Sequence, residues 1–269
     1  MNWDQIVQKL EPYIVKIETP AGSGTGFLCV YNEEKTWCGI ATALHVVDDA
    51  NDWQQPIKIH HTTSGQSSFL KEGQRVIYTD WKTDSAVILF EKGDMPFPEQ
   101  LIPLLPSARK ISLGCEVGWM GFPAIEPWTL CFFSGNVSAR QEQRKAYLID
   151  GVAINGVSGG PVAYSDGTDG VQIVGIVSAY KANRSTGDAL PGLLIAQDVS
   201  HFHDVVQHIR NIDDARHKKD ELEDEQQPNP DEGRKKPAPR AKQTDSGNTG
   251  PMAVTPSLDP EPEISGTND

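Results

Sequence analysis

The chain has 269 residues and a formal charge of -13 at pH 7, length enough for one large domain or two small ones. Its acidity, with no basic stripe, argues against nucleic acid as the main partner. No run approaches the roughly 18 consecutive apolar residues that a membrane helix needs, so no membrane span is expected. The cysteines Cys29, Cys38, Cys115 and Cys131 form no Cys-x-x-Cys pair or His/Cys cluster of the kind that holds zinc. The start has neither a basic region nor an apolar run, so reduced thiols and a cytoplasmic location are expected.

Trp3, Ile6, Val7 and Leu10 share one helical face and Pro12 ends the run, which predicts a short amphipathic helix. Strand signals follow at 13–17, 27–31 and 36–42, with a break from Pro20 to Gly26 and a polar turn from Asn32 to Lys35. Further short strands are expected at 57–61, 75–78 and 85–90. Residues 95–110, proline-rich and aperiodic, read as a linker. A second series runs through 116–120, 129–133, 135–140, 146–149, 161–164, 171–179 and 192–196. Two sets of short, evenly spaced strands predict an all-β protein of two barrels, at about 13–105 and 113–198. Ser200 then caps a predicted helix over about 200–212, with Phe202, Val205, Val206 and Ile209 on its apolar stripe. The expected domain ends there, at 1–212, because residues 213–269 lack the apolar content to offset their ordering entropy. That segment reads as an acidic, disordered tail.

The chemistry concentrates at Asn155-Gly156-Val157-Ser158-Gly159-Gly160-Pro161. Glycines permit a tight turn at positive φ and a close backbone approach. Such a turn can aim the N–H groups of Gly156 and Ser158 at one spot beside the hydroxyl, as the oxyanion of an acyl transfer requires. The competing reading is a glycine-rich loop with a turn-capping serine. A serine nucleophile also needs an adjacent base. His45 stands apart from the other histidines, in the apolar run Ala41-Thr-Ala-Leu-His-Val-Val47, as either a satisfied core residue or a partly dry base. His60, His61, His201, His203, His208 and His217 read as solvated surface. The carboxylate that would orient an imidazole is Asp84, heading an apolar strand, or Asp80 just before it.

With His45, Asp84 and Ser158 in that order, the chain resembles the trypsin-like serine peptidases of the chymotrypsin-fold superfamily, and most of all their bacterial HtrA/Deg branch. The resemblance rests on Gly22-Ser-Gly-Thr-Gly-Phe27, Thr42-Ala-Leu-His-Val-Val47, Asp84-Ser-Ala-Val87, Gly118-Trp-Met-Gly-Phe-Pro123, Ser134-Gly-Asn-Val-Ser138, Gly156-Val-Ser-Gly-Gly-Pro161 and Gly175-Ile-Val-Ser178. It implies two perpendicular six-stranded β-barrels with the site in the cleft between them. It assigns His45 as general base, Asp84 as its orienting carboxylate, Ser158 as nucleophile, and the N–H groups of Gly156 and Ser158 as the oxyanion hole. The family's layout puts the substrate pocket near Val152, Ala153, Ser178, Ala179, Tyr180 and Gly192. With no acid at its base, a small or apolar residue is expected before the scissile bond. Val157 stands where trypsin and chymotrypsin carry the aspartate that binds a newly released N-terminus, so activity without N-terminal cleavage is expected. HtrA/Deg proteases usually carry a PDZ domain, which is not expected within these 269 residues.

The leading expectation is an intracellular serine endopeptidase acting on protein or peptide substrates, with no metal and no cofactor. Two other classes stay open. One is a weak or inactive module of the same fold that binds peptides. The other is a protease whose tail, residues 213–269, recruits a partner protein or masks the cleft.

Overall fold

A computed structural model describes residues 2–152, 154–165, 167, 170–182 and 189–226. Helix α1 (Trp3–Leu10) follows the predicted periodicity and buries Ile6 and Leu10. It opens with a capping box, in which the Asn2 side chain accepts from Gln5 N–H and the Gln5 side chain accepts from Asn2 N–H.

The N-terminal strands are β1 (Ile14–Thr19), β2 (Gly22–Tyr31), β3 (Trp37–Ala43), β4 (Ile57–His61), β5 (Gln66–Leu70), β6 (Arg75–Asp80) and β7 (Ser85–Glu91). They form an antiparallel seven-stranded sheet in the order β5-β4-β1-β2-β3-β7-β6. This corrects the expectation of a six-stranded barrel here. The additional strand, β5, is Gln-Ser-Ser-Phe-Leu at the sheet edge; it buries only Leu70 and so leaves little apolar pattern to read. β2 also begins at Gly22, inside the predicted break. Glycine weakens strand signals, yet Gly22, Gly24 and Gly26 pair in register with Thr19, Ile17 and Val15.

The C-terminal set is β8 (Glu116–Gly121), β9 (Cys131–Gln141), β10 (Ala146–Asp150), β11 (Pro161–Ser165), β12 (Val171–Ala182) and β13 (Ala189–Asp198). These close into a six-stranded barrel in the order β10-β13-β12-β11-β8-β9, as expected for this half. The two strands expected at 129–133 and 135–140 are one, β9. The linker is tied to the barrel where Leu105 N–H donates to Ile173 C=O at 2.7 Å.

The C-terminal helix α3 runs from Ser200 to Gln226, well beyond the expected end near residue 212. Phe202, Val205 and Ile209 are buried as the stripe predicts. The cap differs, since the Asp198 carboxylate accepts from Ser200 N–H at 3.1 Å. Residues 213–226 therefore do not belong to a disordered tail. Asp213 is buried and accepts from Glu33 N–H at 2.9 Å, and His217 pairs with Glu33 at 2.9 Å. The run from Ala215 to Gln226 holds no glycine or proline, and acids and bases stand four apart along it, as in Asp214 with Lys218 and Arg216 with Asp220. Residues 227–269 lie outside the described residues. The chain divides into compact units at Met1–Asp224 and Glu225–Asp269. Among the described residues, no helix is long and apolar enough to cross a membrane.

A short helix that the sequence reading missed, α2 (Asp48–Asp52), follows His45. Arg75, on β6, fixes its far end. The buried guanidinium donates to Leu70 C=O at 2.8 Å, Ala50 C=O at 3.0 Å and Gln55 C=O at 2.6 Å. Replacing it with an apolar chain of similar length removes all three bonds and leaves Ala50 C=O with only the one from Gln55 N–H at 2.9 Å. Arg75→Met is expected to destabilise the fold by about 3 kcal/mol, read as a lower urea midpoint at unchanged slope.

Candidate active site

Register brings the first two candidate groups together. Ala43 on β3 pairs with Ser85 on β7, so the turn after β3 lies beside the residue before β7. There Leu44 N–H donates to Asp84 C=O at 3.0 Å. Leu44 and Val47 are buried and anchor the turn, while the side chain of His45 stays 45% exposed.

Asp84 has a φ of 47°, a left-handed conformation that non-glycine residues adopt at some strain and aspartate more readily than most. Its Oδ1 accepts from His45 N–H at 3.0 Å and its Oδ2 contacts His45 Nδ1 at 2.8 Å. An ionised carboxylate only accepts, so Nδ1 carries the proton and Nε2 keeps its lone pair. The hydrogen bond to Asp84 holds His45 above the ordinary value of 6.5; burial pulls it down, and the charges of Asp84 and Asp48 push it up. The alternative carboxylate, Asp80, instead accepts from Lys82 N–H and the Thr83 hydroxyl.

The Ser158 turn is held peptide by peptide. Val157 N–H donates to Ile154 C=O at 3.1 Å, closing a four-residue turn with Gly156 third at φ +90°. That is the third-residue φ of a type II turn, which calls for glycine. A Cβ there would also stand 2.3 Å from Phe122 O. Asn155 C=O accepts from Ala124 N–H at 2.7 Å. In a planar trans peptide the N–H opposes the C=O, so Gly156 N–H points away from that bond. Val157 C=O likewise accepts from Gly160 N–H at 2.9 Å, which turns Ser158 N–H the other way. Among the described residues, neither N–H meets an acceptor.

The hydroxyl of Thr25 secures this turn. Fully buried on β2, it donates to Gly156 C=O at 2.8 Å and accepts from Phe122 N–H at 3.0 Å. Its backbone N–H donates to Ser158 C=O at 2.8 Å. Gly159, at φ +82°, leaves no space there: a Cβ would stand 2.2 Å from Thr25 O. The loop from β8 to β9, which supplies Ala124 and Phe122, also reaches the N-terminal sheet. Lys16 Nζ lies 3.5 Å from the centre of the Trp128 ring.

His45, Gly156 and Ser158 line one cleft of about 260 Å³. No hydrogen bond joins His45 to Ser158 among the described residues. Of the residues expected in the substrate pocket, Ser178 is buried and donates its hydroxyl to Asp84 Oδ2 at 2.6 Å. Val152 is exposed. Gly192 accepts from Gly151 N–H at 3.0 Å, and a Cβ on it would stand 3.8 Å from Asp150 Oδ1. Ala153 and the side chains of Ala179 and Tyr180 lie outside the described residues.

His61 corrects the reading of the other histidines as solvated surface. It is buried, with Nε2 at 2.9 Å from Pro12 C=O and Nδ1 at 2.9 Å from the Ser64 hydroxyl, and burial lowers its pKa. Among the described residues, no cluster of three or more His, Cys, Asp or Glu side chains could hold a metal ion. The sequence reading missed the bonding roles of Thr25 and Ser178. Each lies in a quoted motif, but their partners stand 131 and 94 residues away.

A model of the trypsin-like peptidase domain matches residues 24–176. Among solved structures, the chain is similar to the serine endoprotease from Yersinia pestis at 20% identity and a TM-score of 0.56, covering 78% of this chain and 66% of that one. The chain thus spans just under two thirds of that protein. It is also similar to the Rv3671c protease of M. tuberculosis in its inactive form, at 19% identity and a TM-score of 0.52, covering 76% of this chain and 92% of that one. No curated protein sequence matches it.

Thr25→Val keeps shape and burial but leaves Gly156 C=O and Phe122 N–H without their partner. The expected loss is about 2–4 kcal/mol by urea denaturation. Thr25→Ser, which keeps the hydroxyl, is expected to lose much less.

Proposed function

This chain belongs to the trypsin-like peptidase domain family, and on that premise we propose that it is a serine endopeptidase acting through Ser158, His45 and Asp84. The observation that carries the reading is the Nδ1 bond from His45 to Asp84, which leaves Nε2 free beside a cleft that Ser158 shares. His45 Nε2 takes the Ser158 proton as Oγ attacks a peptide carbonyl. The oxyanion that forms is stabilised by Gly156 N–H and Ser158 N–H, aimed before the substrate arrives. Imidazolium then protonates the departing amine, the peptide bond breaks, and Ser158 carries the acyl group. Water, deprotonated by His45, releases the acid. Asp84 stabilises the imidazolium in each half, and its own position is supported by the Ser178 hydroxyl.

The substrates of this reading are proteins or peptides. Val157 is buried, and a Cβ on Gly121 would stand 2.9 Å from its Cγ1. Apolar packing thus holds the loop where trypsin and chymotrypsin use an ion pair, and no N-terminal cleavage is required for activity. The residue before the scissile bond is small or apolar. Strict cleavage after arginine in a peptide library, with Asp150 as the partner, would reject that preference. The lack of a His45–Ser158 hydrogen bond favours a second reading, a module that binds peptides without cutting them. Labelling of Ser158 by a fluorophosphonate separates the two.

Ser158→Ala is expected to lower kcat by at least about 10³-fold on any cleaved peptide. In the parent, kcat/KM should rise with pH along an acid limb centred above the ordinary histidine value of 6.5, because only neutral His45 accepts the proton. Asp84→Asn removes the hydrogen bond and the charge that raise His45, and should move that limb downward. A limb unmoved by Asp84→Asn would rule out His45 as its source.

A further inference from the structure

We propose that Asp49 makes this protein select peptides with a lysine or arginine at the first or second position after the scissile bond. The inference rests on the peptidase reading above and deepens it.

The cleft that holds His45 and Ser158 is walled by Thr19 and Ser23, at the turn from β1 to β2, and by Val46 and Asp49, just after His45. Val152, Ser178 and Gly192, expected on the acyl side, are not among the residues that line it. Ser158 retains the acyl half of the substrate, whereas His45 passes its proton to the departing amine. The residues that leave must therefore run along the flank of the imidazole, which is this wall.

Asp49 is the one carboxylate in the wall, and apart from His45 the one ionisable side chain. It is exposed, and among the described residues no cation pairs with it. Its neighbours are committed. Asp48 accepts from Asp49 N–H at 2.8 Å, and the acid on β1, Glu18, is held by Lys16 at 3.2 Å and Lys58 at 3.1 Å. A peptide laid along the cleft covers Asp49 and strips its water. A neutral or acidic residue leaves that carboxylate without compensation, which is unfavourable. A lysine or arginine supplies the missing charge and a charge-assisted hydrogen bond, on a stem long enough to reach from either position.

The test uses the full chain and quenched fluorescent peptides identical on the acyl side, with lysine, glutamine or glutamate at each of the two positions after the bond. At low salt, kcat/KM for lysine over glutamine should be about 10 at one of them, the size of one charge-assisted contact. It should shrink as salt rises, because ions screen the open carboxylate from the incoming cation before the peptide is seated. In Asp49→Asn the ratio should fall to about 1, and in Asp49→Lys glutamate should overtake lysine. Each ratio is taken within one protein, so a change in the folded fraction cancels. Cleavage with no lysine preference at either position, or a preference that survives Asp49→Asn, overturns the inference and leaves the peptidase reading standing. A parent chain that cuts no peptide and leaves Ser158 unlabelled by a fluorophosphonate overturns both.

Discussion

One buried hydroxyl governs the geometry of the site. Thr25 gives its proton to Gly156 C=O and takes one from Phe122 N–H, so a strand of the N-terminal sheet fixes a turn and a loop of the C-terminal barrel together. Its backbone adds the bond to Ser158 C=O. With Asn155 C=O held by Ala124 and Gly156 C=O held by Thr25, the peptides of the turn have little freedom to rotate. In the proposed reaction this fixity would matter, because dipoles already aimed at a developing charge need not reorient when it appears.

Asp84 is the corresponding fixed point for His45. Three donors converge on one carboxylate: His45 through its backbone and its ring, and Ser178 through its hydroxyl. The left-handed backbone of Asp84 is strained by order 1 kcal/mol, and that strain is offset where it arises by these bonds and by Leu44 N–H on its carbonyl. Ser178 belongs to β12 of the barrel and His45 to the turn after β3, so here too the two β systems meet on one side chain. The arrangement fixes the tautomer of His45, and the hydrogen bond to Asp84 is the largest of the influences that raise its affinity for a proton.

The departures from expectation share a cause. The strand β5 and the first half of β2 were hidden because polar edge residues and glycines carry little apolar alternation, and their strand character comes from pairing with neighbours. The extension of α3 is hidden because residues past 212 are too polar to build a core of their own. A helix needs no core of its own when Asp213 and His217 are anchored on the turn after β2. His61 was misjudged for a similar reason. It sits on the buried face of β4, where Pro12 C=O and the Ser64 hydroxyl satisfy its ring.

The β-rich class, the α1 helix, the strand segments of the second barrel (with β9 read as two) and the glycine turn around Ser158 were legible in the sequence, because period-2 alternation, helical spacing and glycine clusters are local properties of the chain. Motif order also pointed to His45, Asp84 and Ser158 as partners. Only the tertiary structure decided that Ser178 serves the carboxylate of Asp84, that Thr25 holds the turn and that Asp49 stands in the cleft wall. Each of these depends on which residues long-range strand pairing and the close approach of two β systems bring within about 3 Å, and sequence separation carries no information about that distance.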